Sequence, residues 1–206
     1  MTDVSLDLLP ALAVFAFVTS VTPGPNNLML MASGANFGLR RTVPHLLGVA
    51  LGFGAMVALV GLGVDRLVSG TPLLAQGLKW LSLAYVLWLA WKIAGAGPVA
   101  VSGEAAEGGA GARPMGFWAA CAFQWVNPKA WMMALGALSA YRAGAGGVAG
   151  VALVFTLVNL PSVALWAAMG QGIGAWLADP VRLRWFNRAM AAALVVSMLP
   201  VLVSPH

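Results

Sequence analysis

The stretch Thr22-Pro23-Gly24-Pro25-Asn26-Asn27 interrupts a hydrophobic run that begins near Leu8 and ends near Phe37. A second break, Asn127-Pro128-Lys129, interrupts a run from about Met115 to Tyr141, about 105 residues further on. Proline removes a backbone donor and its ring clashes with the preceding turn, so a helix cannot pass through Pro23-Gly24-Pro25 intact. Lipid offers nothing to an unpaired N–H or C=O, so broken backbone survives at membrane depth only when buried in protein or lining a cavity. Two Gly/Pro-interrupted segments at matching places in two halves are the best sequence pointer to a transporter's binding site.

Composition places both breaks in a membrane. The 206 residues are 61% hydrophobic and 8% charged, against about 25% charged in a soluble domain. Several runs approach or exceed the roughly 20 apolar residues that cross a bilayer as a helix. Six spans follow, at about Leu8–Phe37, Val43–Val64, Leu73–Ala94, Met115–Tyr141, Val148–Trp176 and Trp185–Val203. The stretch 95–113, rich in Gly, Ala and Glu, reads as a flexible linker. The expected fold is an all-α integral membrane protein: six transmembrane helices as two inverted three-helix repeats, with helices 1 and 4 broken at the Pro motifs. It forms one membrane domain over 1–206, with repeat 1 at about 1–94 and repeat 2 at about 114–206. Gly48, Gly52 and Gly54 in the second span correspond to Asn159-Leu160-Pro161 in the fifth.

Charge sets orientation. Arg40, Arg41, Lys92, Arg113, Arg182, Arg184 and Arg188 follow spans one, three and five, whereas Arg66, Lys79 and Arg142 follow spans two and four. The richer set belongs in the cytoplasm, which puts both termini on the periplasmic side. The net charge of +5 reads as topology control and contact with anionic lipid. Nucleic acid is not an expected partner, because the basic residues form no single face or stripe. The N-terminus, Met1-Thr2-Asp3-Val4-Ser5-Leu6-Asp7, is acidic and lacks the basic region of a signal peptide, so the first span should persist. Cys121 is the one cysteine; an intrachain disulfide is excluded, and a packing role is expected.

The breaks carry the candidate chemistry. Opening at Pro23, Gly24 and Pro25 frees carbonyls on the preceding half-helix and amides on the next. A half-helix N-terminus suits a carboxylate; freed carbonyls suit an ammonium. A zwitterionic amino acid carries both groups. Asn26 and Asn27 either contact such a ligand or cap the second half-helix. Lys129 is the basic residue placed deep in a span, and an intramembrane charge is a functional hypothesis by default. It holds a substrate carboxylate, changes protonation during the cycle, pairs with freed carbonyls, or snorkels to the surface. Gln124 and Asn127, about a turn away, share its cavity with Pro128. Asn159 and Pro161 mark a softer break that a simple kink explains equally well. Thr19, Ser20 and Thr22 are suited to released carbonyls. Trp80, Trp88, Trp91, Trp118, Trp176 and Trp185 fall near span ends, as an aromatic belt requires. His45, beside Arg40 and Arg41, reads as a loop or lipid-facing residue. Small residues in Gly48-Val49-Ala50-Leu51-Gly52 favour close helix packing, and such Gly faces leave a homodimer open.

No zinc helix, nucleophile elbow or phosphate-binding loop is present, so no cofactor, metal or enzymatic role is expected. Transport without a nucleotide site has to be secondary, yet no Asp or Glu falls deep in a span to relay protons.

The run Val21-Thr22-Pro23-Gly24-Pro25-Asn26-Asn27, with Gly34-Ala35-Asn36-Phe37-Gly38-Leu39-Arg40-Arg41 and Gly48, resembles the lysine exporter (LysE) family, in its threonine/homoserine exporter-like (RhtB) branch. Phe117-Trp118 and Gln124-Trp125-Val126-Asn127-Pro128-Lys129 resemble that family's second signature. The likeness extends over nearly the whole chain. It implies a bacterial inner-membrane exporter of amino acids or close derivatives powered by proton motive force, with similarity to members that export cysteine and O-acetylserine. The signature positions it carries over are Pro23, Gly24, Pro25, Asn26, Asn127, Pro128 and Lys129. The expected function is secondary export of small amino acids by alternating access around the broken helices. The competing readings are a passive channel and a structural membrane subunit.

Overall fold

The computed structural model describes residues 4–64, 70–96, 113–144 and 146–199. The described residues of the chain are helical or connecting, with no strand among them. Most of the expected linker, Arg66 and the end of the sixth expected span lie outside the described residues.

The elements begin and end where the punctuating residues demand. Helix α1 (Val4–Val21) stops ahead of Pro23, and α2 (Pro25–Phe37) starts on Pro25 after an extended Gly24. Proline suits that first position, where its missing donor would be unpaired anyway. The two half-helices meet at a 56° bend. Gly38, with φ 76°, then turns the chain straight into α3 (Leu39–Leu59), which continues as a π-helical turn, Val60–Val64. Next comes α4 (Pro72–Ala94). The second break is tighter: only Asn127 separates α5 (Phe117–Val126) from α6 (Pro128–Tyr141). Helix α7 (Gly147–Gly172) and α8 (Pro180–Val196) complete the order, with a short 3₁₀ turn, Trp176–Ala178, between them.

Leu39–Val64 and Gly147–Gly172 are each long and apolar enough to cross a membrane, and the bent α1–α2 pair provides a third span if it crosses as one unit. The chain is thus an all-helical membrane protein with several apolar spans. Some expected boundaries shift. The second span starts at Leu39, so Arg40 and Arg41 stand in the first turn of α3 rather than in a loop. Lys79 lies inside α4 rather than before it. The fifth expected span ends at Gly172 with α7, and the sixth begins at Pro180 with α8, where the Asp179 carboxylate accepts from the Val181 and Arg182 amides at 2.8 and 2.9 Å. Pro161 does not interrupt α7, which runs continuously through it.

Packing centres on α2, α3, α5 and α7. Lipid is as apolar as leucine, so close fit rather than water exclusion holds such helices together. Gly48 meets Phe117 and Ala120 of α5, Gly52 meets Cys121, and Gly54 meets Thr156 of α7. The expected packing role of this glycine face holds, and the face is used inside the chain. At the α2–α7 crossing the backbones nearly touch. A Cβ on Gly34 would run into the Ala167 carbonyl, and one on Gly170 would stand 2.9 Å from the Ala35 nitrogen. Beside this crossing, Leu30, Val163 and Ala167 belong to one buried cluster; Leu12, Phe53, Met56 and Phe155 fill a second, and Leu28, Val86, Phe123 and Leu194 a third. The Phe53 and Phe155 rings meet edge to face, 5.4 Å apart. The six tryptophans expected in a belt are all exposed on the outside of the bundle. Lys92, Arg182 and Arg188 lie over the rings of Trp88, Trp176 and Trp185 at 4.6, 5.3 and 5.6 Å.

Candidate functional site

The two breaks, far apart in sequence, face each other. Lys129 leaves the first turn of α6 and crosses to the end of α1, where its Nζ donates to the Thr22 carbonyl at 2.5 Å and approaches the Pro23 carbonyl at 3.5 Å. The C-terminal end of a helix presents unpaired carbonyls and the negative pole of its dipole, so a cation is favoured there. Gly24 makes room for this crossing: a Cβ there would stand 2.6 Å from Lys129 Cδ.

Asparagine and glutamine tie the breaks together. Asn26 Nδ2 donates to Gln124 Oε1 at 2.8 Å, and Gln124 Nε2 returns the bond to Asn26 Oδ1 at 3.3 Å. Gln124 is wholly buried and also donates to the Ala120 carbonyl at 2.8 Å. Asn27 does not cap the second half-helix. Its amide instead donates to the Ser20 and Thr22 carbonyls, both at 2.8 Å, and so satisfies the end of the first. The N-cap of α2 is Gly24, without a side-chain bond, whereas at the second break Asn127 Oδ1 accepts the Lys129 amide at 3.1 Å.

These groups surround a cavity of about 20 Å³, which holds about one water. Thr19, Ser20, Gly24, Asn26 and Asn27 line it from the first break, and Asn127, Lys129, Ala130 and Met133 from the second. Phe53 of α3 and Asn159 of α7 close it. Five of the expected site residues stand outside this lining: Pro23 and Pro161, both exposed, Pro128, half-buried, Gln124, which is buried behind Asn26 rather than sharing the cavity, and Pro25. Pro25 is buried at the start of α2. The prolines make the break; the polar residues furnish it. Phe53, Ala130 and Met133 carry no sequence signal that separates them from ordinary core. Thr19 and Thr22 donate to the Phe15 and Val18 carbonyls a turn earlier, inside α1, rather than to the carbonyls the break releases, and the Ser20 hydroxyl is buried with no partner among the described residues.

Two polar features escaped the sequence reading. His45 is 2% exposed, with neither ring nitrogen hydrogen-bonded among the described residues, and is not lipid-facing. Asn36 and buried Asn187 exchange bonds of 2.9 and 3.1 Å, and Asn187 also donates to the Ala96 carbonyl at 2.9 Å. This second amide pair holds the far end of α2 to α8. A larger cavity of about 370 Å³ lies between the π turn and the end of α6, beside Arg142, with no helix break in its lining.

A polar chamber thus lies at two facing helix breaks inside an apolar helical bundle. The chain belongs to the LysE type translocator family, whose model matches residues 17–203. It is therefore a transporter, not an enzyme. It is 33% identical over 169 residues to the cysteine/O-acetylserine efflux protein of Escherichia coli (strain K12), covering 80% of this chain and 83% of that one. The protein of the same description in Salmonella typhimurium (strain LT2) is 32% identical over 168 residues, with the same coverage. No solved structure matches.

Proposed function

We propose that this protein exports small amino acids or their derivatives from the cytoplasm across the bacterial inner membrane, as a secondary carrier working by alternating access. The supporting observation is the cation-on-carbonyl contact between the two breaks, Lys129 Nζ against the Thr22 and Pro23 carbonyls. One chamber thereby contains an ammonium, freed carbonyls and the amides of Asn26, Asn27 and Asn127, the complement of a zwitterion. The substrate contacts fall on Gly24, Asn26, Asn27, Gln124, Asn127, Lys129 and Asn159, with Pro23, Pro25, Pro128 and Pro161 shaping the backbone.

A chamber with room for one water excludes an amino acid. The conformation described is therefore a closed one, and transport requires the breaks to part. In this reading α1–α2, α3 and α4 form one repeat and α5–α6, α7 and α8 its inverted copy, making six spans in one domain with both termini periplasmic. Coupling to the proton gradient follows the family resemblance. The two efflux proteins named above are described as cysteine/O-acetylserine efflux proteins, and we assign this chain the same class of small polar amino acids.

Counterflow in proteoliposomes tests the reading. Liposomes loaded with unlabelled O-acetylserine, cysteine, threonine, homoserine, leucine or lysine are offered labelled tracer. Saturable exchange confined to the small polar members is expected. Absence of exchange by folded protein with every one of them would refute amino-acid transport.

A further inference from the structure

We propose that the Thr22 and Pro23 carbonyls form an ammonium seat which Lys129 occupies in the closed state and which the substrate's α-ammonium takes over, releasing Lys129 to the substrate's carboxylate. The inference deepens the reading above and rests on it.

Three observations carry it. Among the described residues, the Lys129 ammonium has only carbonyls as its hydrogen-bond partners, at 2.5 and 3.5 Å, and no carboxylate. The chain's acidic residues are Asp3, Asp7, Asp65, Glu104, Glu107 and Asp179, none of them in either break motif. Lys129 thus sits as a cation whose anionic partner has to come from outside the motif, and a carboxylate substrate supplies one. The third observation is space. The Lys129 stem lies against Gly24, and the cavity it lines keeps only about 20 Å³. A substrate ammonium and the Lys129 ammonium cannot both use the Thr22 carbonyl, which already accepts the Asn27 amide at 2.8 Å. Occupancy is mutually exclusive.

The exchange keeps every charge paired. Lys129 gives up two carbonyls and gains a carboxylate, and the substrate ammonium gains the carbonyls. Departure of the substrate returns Lys129 to the seat, so the end of α1 is never left with bare carbonyls. A ligand carrying a carboxylate without an ammonium would expel Lys129 and leave the seat empty, and is selected against. Loss of one charge-assisted hydrogen bond weakens binding by about 10-fold to 100-fold.

Two experiments test the seat independently. In the first, wild-type counterflow compares O-acetylserine with its isomer N-acetylserine, which has the same atoms but no ammonium. Exchange of the N-acetyl isomer about 10-fold to 100-fold weaker is expected; equal exchange of the two isomers overturns the proposal while leaving amino-acid transport standing. In the second, Lys129→Ala removes three carbons and a nitrogen, which n-propylammonium replaces atom for atom. Thermal unfolding of the purified variant should rise with n-propylammonium, wild type should not respond, and O-acetylserine should compete. A variant that responds no more than wild type, or a response that O-acetylserine leaves untouched, overturns the seat whether or not transport is seen. If Lys129→Ala does not fold, the isomer comparison in wild type still decides.

Discussion

The Asn26–Gln124 pair gives the sharpest energetic prediction. Asn26→Ala leaves Gln124 Oε1 without its 2.8 Å donor in a site that is 0% exposed. An orphaned buried acceptor costs about 1–3 kcal/mol. Gln124→Met keeps length and bulk but strips two donated bonds, to Asn26 and to Ala120. Asn26 is only half-buried, so water repairs part of that loss, and about 0.5–1.5 kcal/mol is expected. Because both changes remove the same reciprocal bonds, the double variant should lose less than the two singles combined. Membrane proteins calibrate this coupling at about 0.6 kcal/mol on average and about 1.7 at most. Unfolding of the four proteins in mixed detergent micelles, followed by Trp fluorescence, measures it. Losses that add to within about 0.3–0.5 kcal/mol would show that the two breaks are not coupled through these amides.

Three other outcomes are expected. Lys129→Ala and Pro23→Ala should each abolish efflux from cells while the protein still reaches the membrane; normal transport by both would remove the breaks from the mechanism. Gly170→Ala places a methyl against the Met31 carbonyl and the Ala35 amide, and such overpacking costs about 1–3 kcal/mol; an unchanged melting temperature in detergent would mean that α2 and α7 are less closely apposed. The Asp179 carboxyl is held below the usual aspartate range by the Arg182 amide and then the Val181 amide, so its cap is fully present above the unfolded value and is lost as pH falls through the lowered folded one. Amide exchange in the first turn of α8 should therefore quicken on acidification into that range, and Asp179→Asn should flatten the profile; a profile identical in both proteins would assign the change to another group.

Both breaks were legible in the sequence because proline chemistry is local: Pro23, Pro25 and Pro128 decide where helices stop without reference to anything distant. The partners of the polar residues were not. Lys129 meets a carbonyl 107 residues earlier in the chain, and no periodicity carries that. For Asn27 the sequence leaves ligand contact and capping of the second half-helix both open, yet the side chain reaches back to the helix before it, because a 56° bend folds that end alongside. His45 was misplaced for a related reason. Two arginines nearby suggested a loop, but Gly38 at φ 76° turns the chain so sharply that α3 is already under way at Leu39, carrying His45 inside. Pro161 shows the opposite error, a proline that a helix absorbs without a break.

The glycine crossing of α2 and α7 limits how this translocator can move. Where backbone lies on backbone there is no side chain to slide or re-rotamerise, so the two helices travel as a single strut. Any rearrangement has to be taken up at the joints around that strut: the 56° elbow ahead of α2, the Gly38 corner behind it, and the amide clasps that α2 makes with α5 at one end and α8 at the other. Clasps of this kind release and re-form at small net cost, whereas the strut does not part. Distance probes on α2 and α7 should then report a constant separation through the whole cycle, and those on α2 and α5 a changing one.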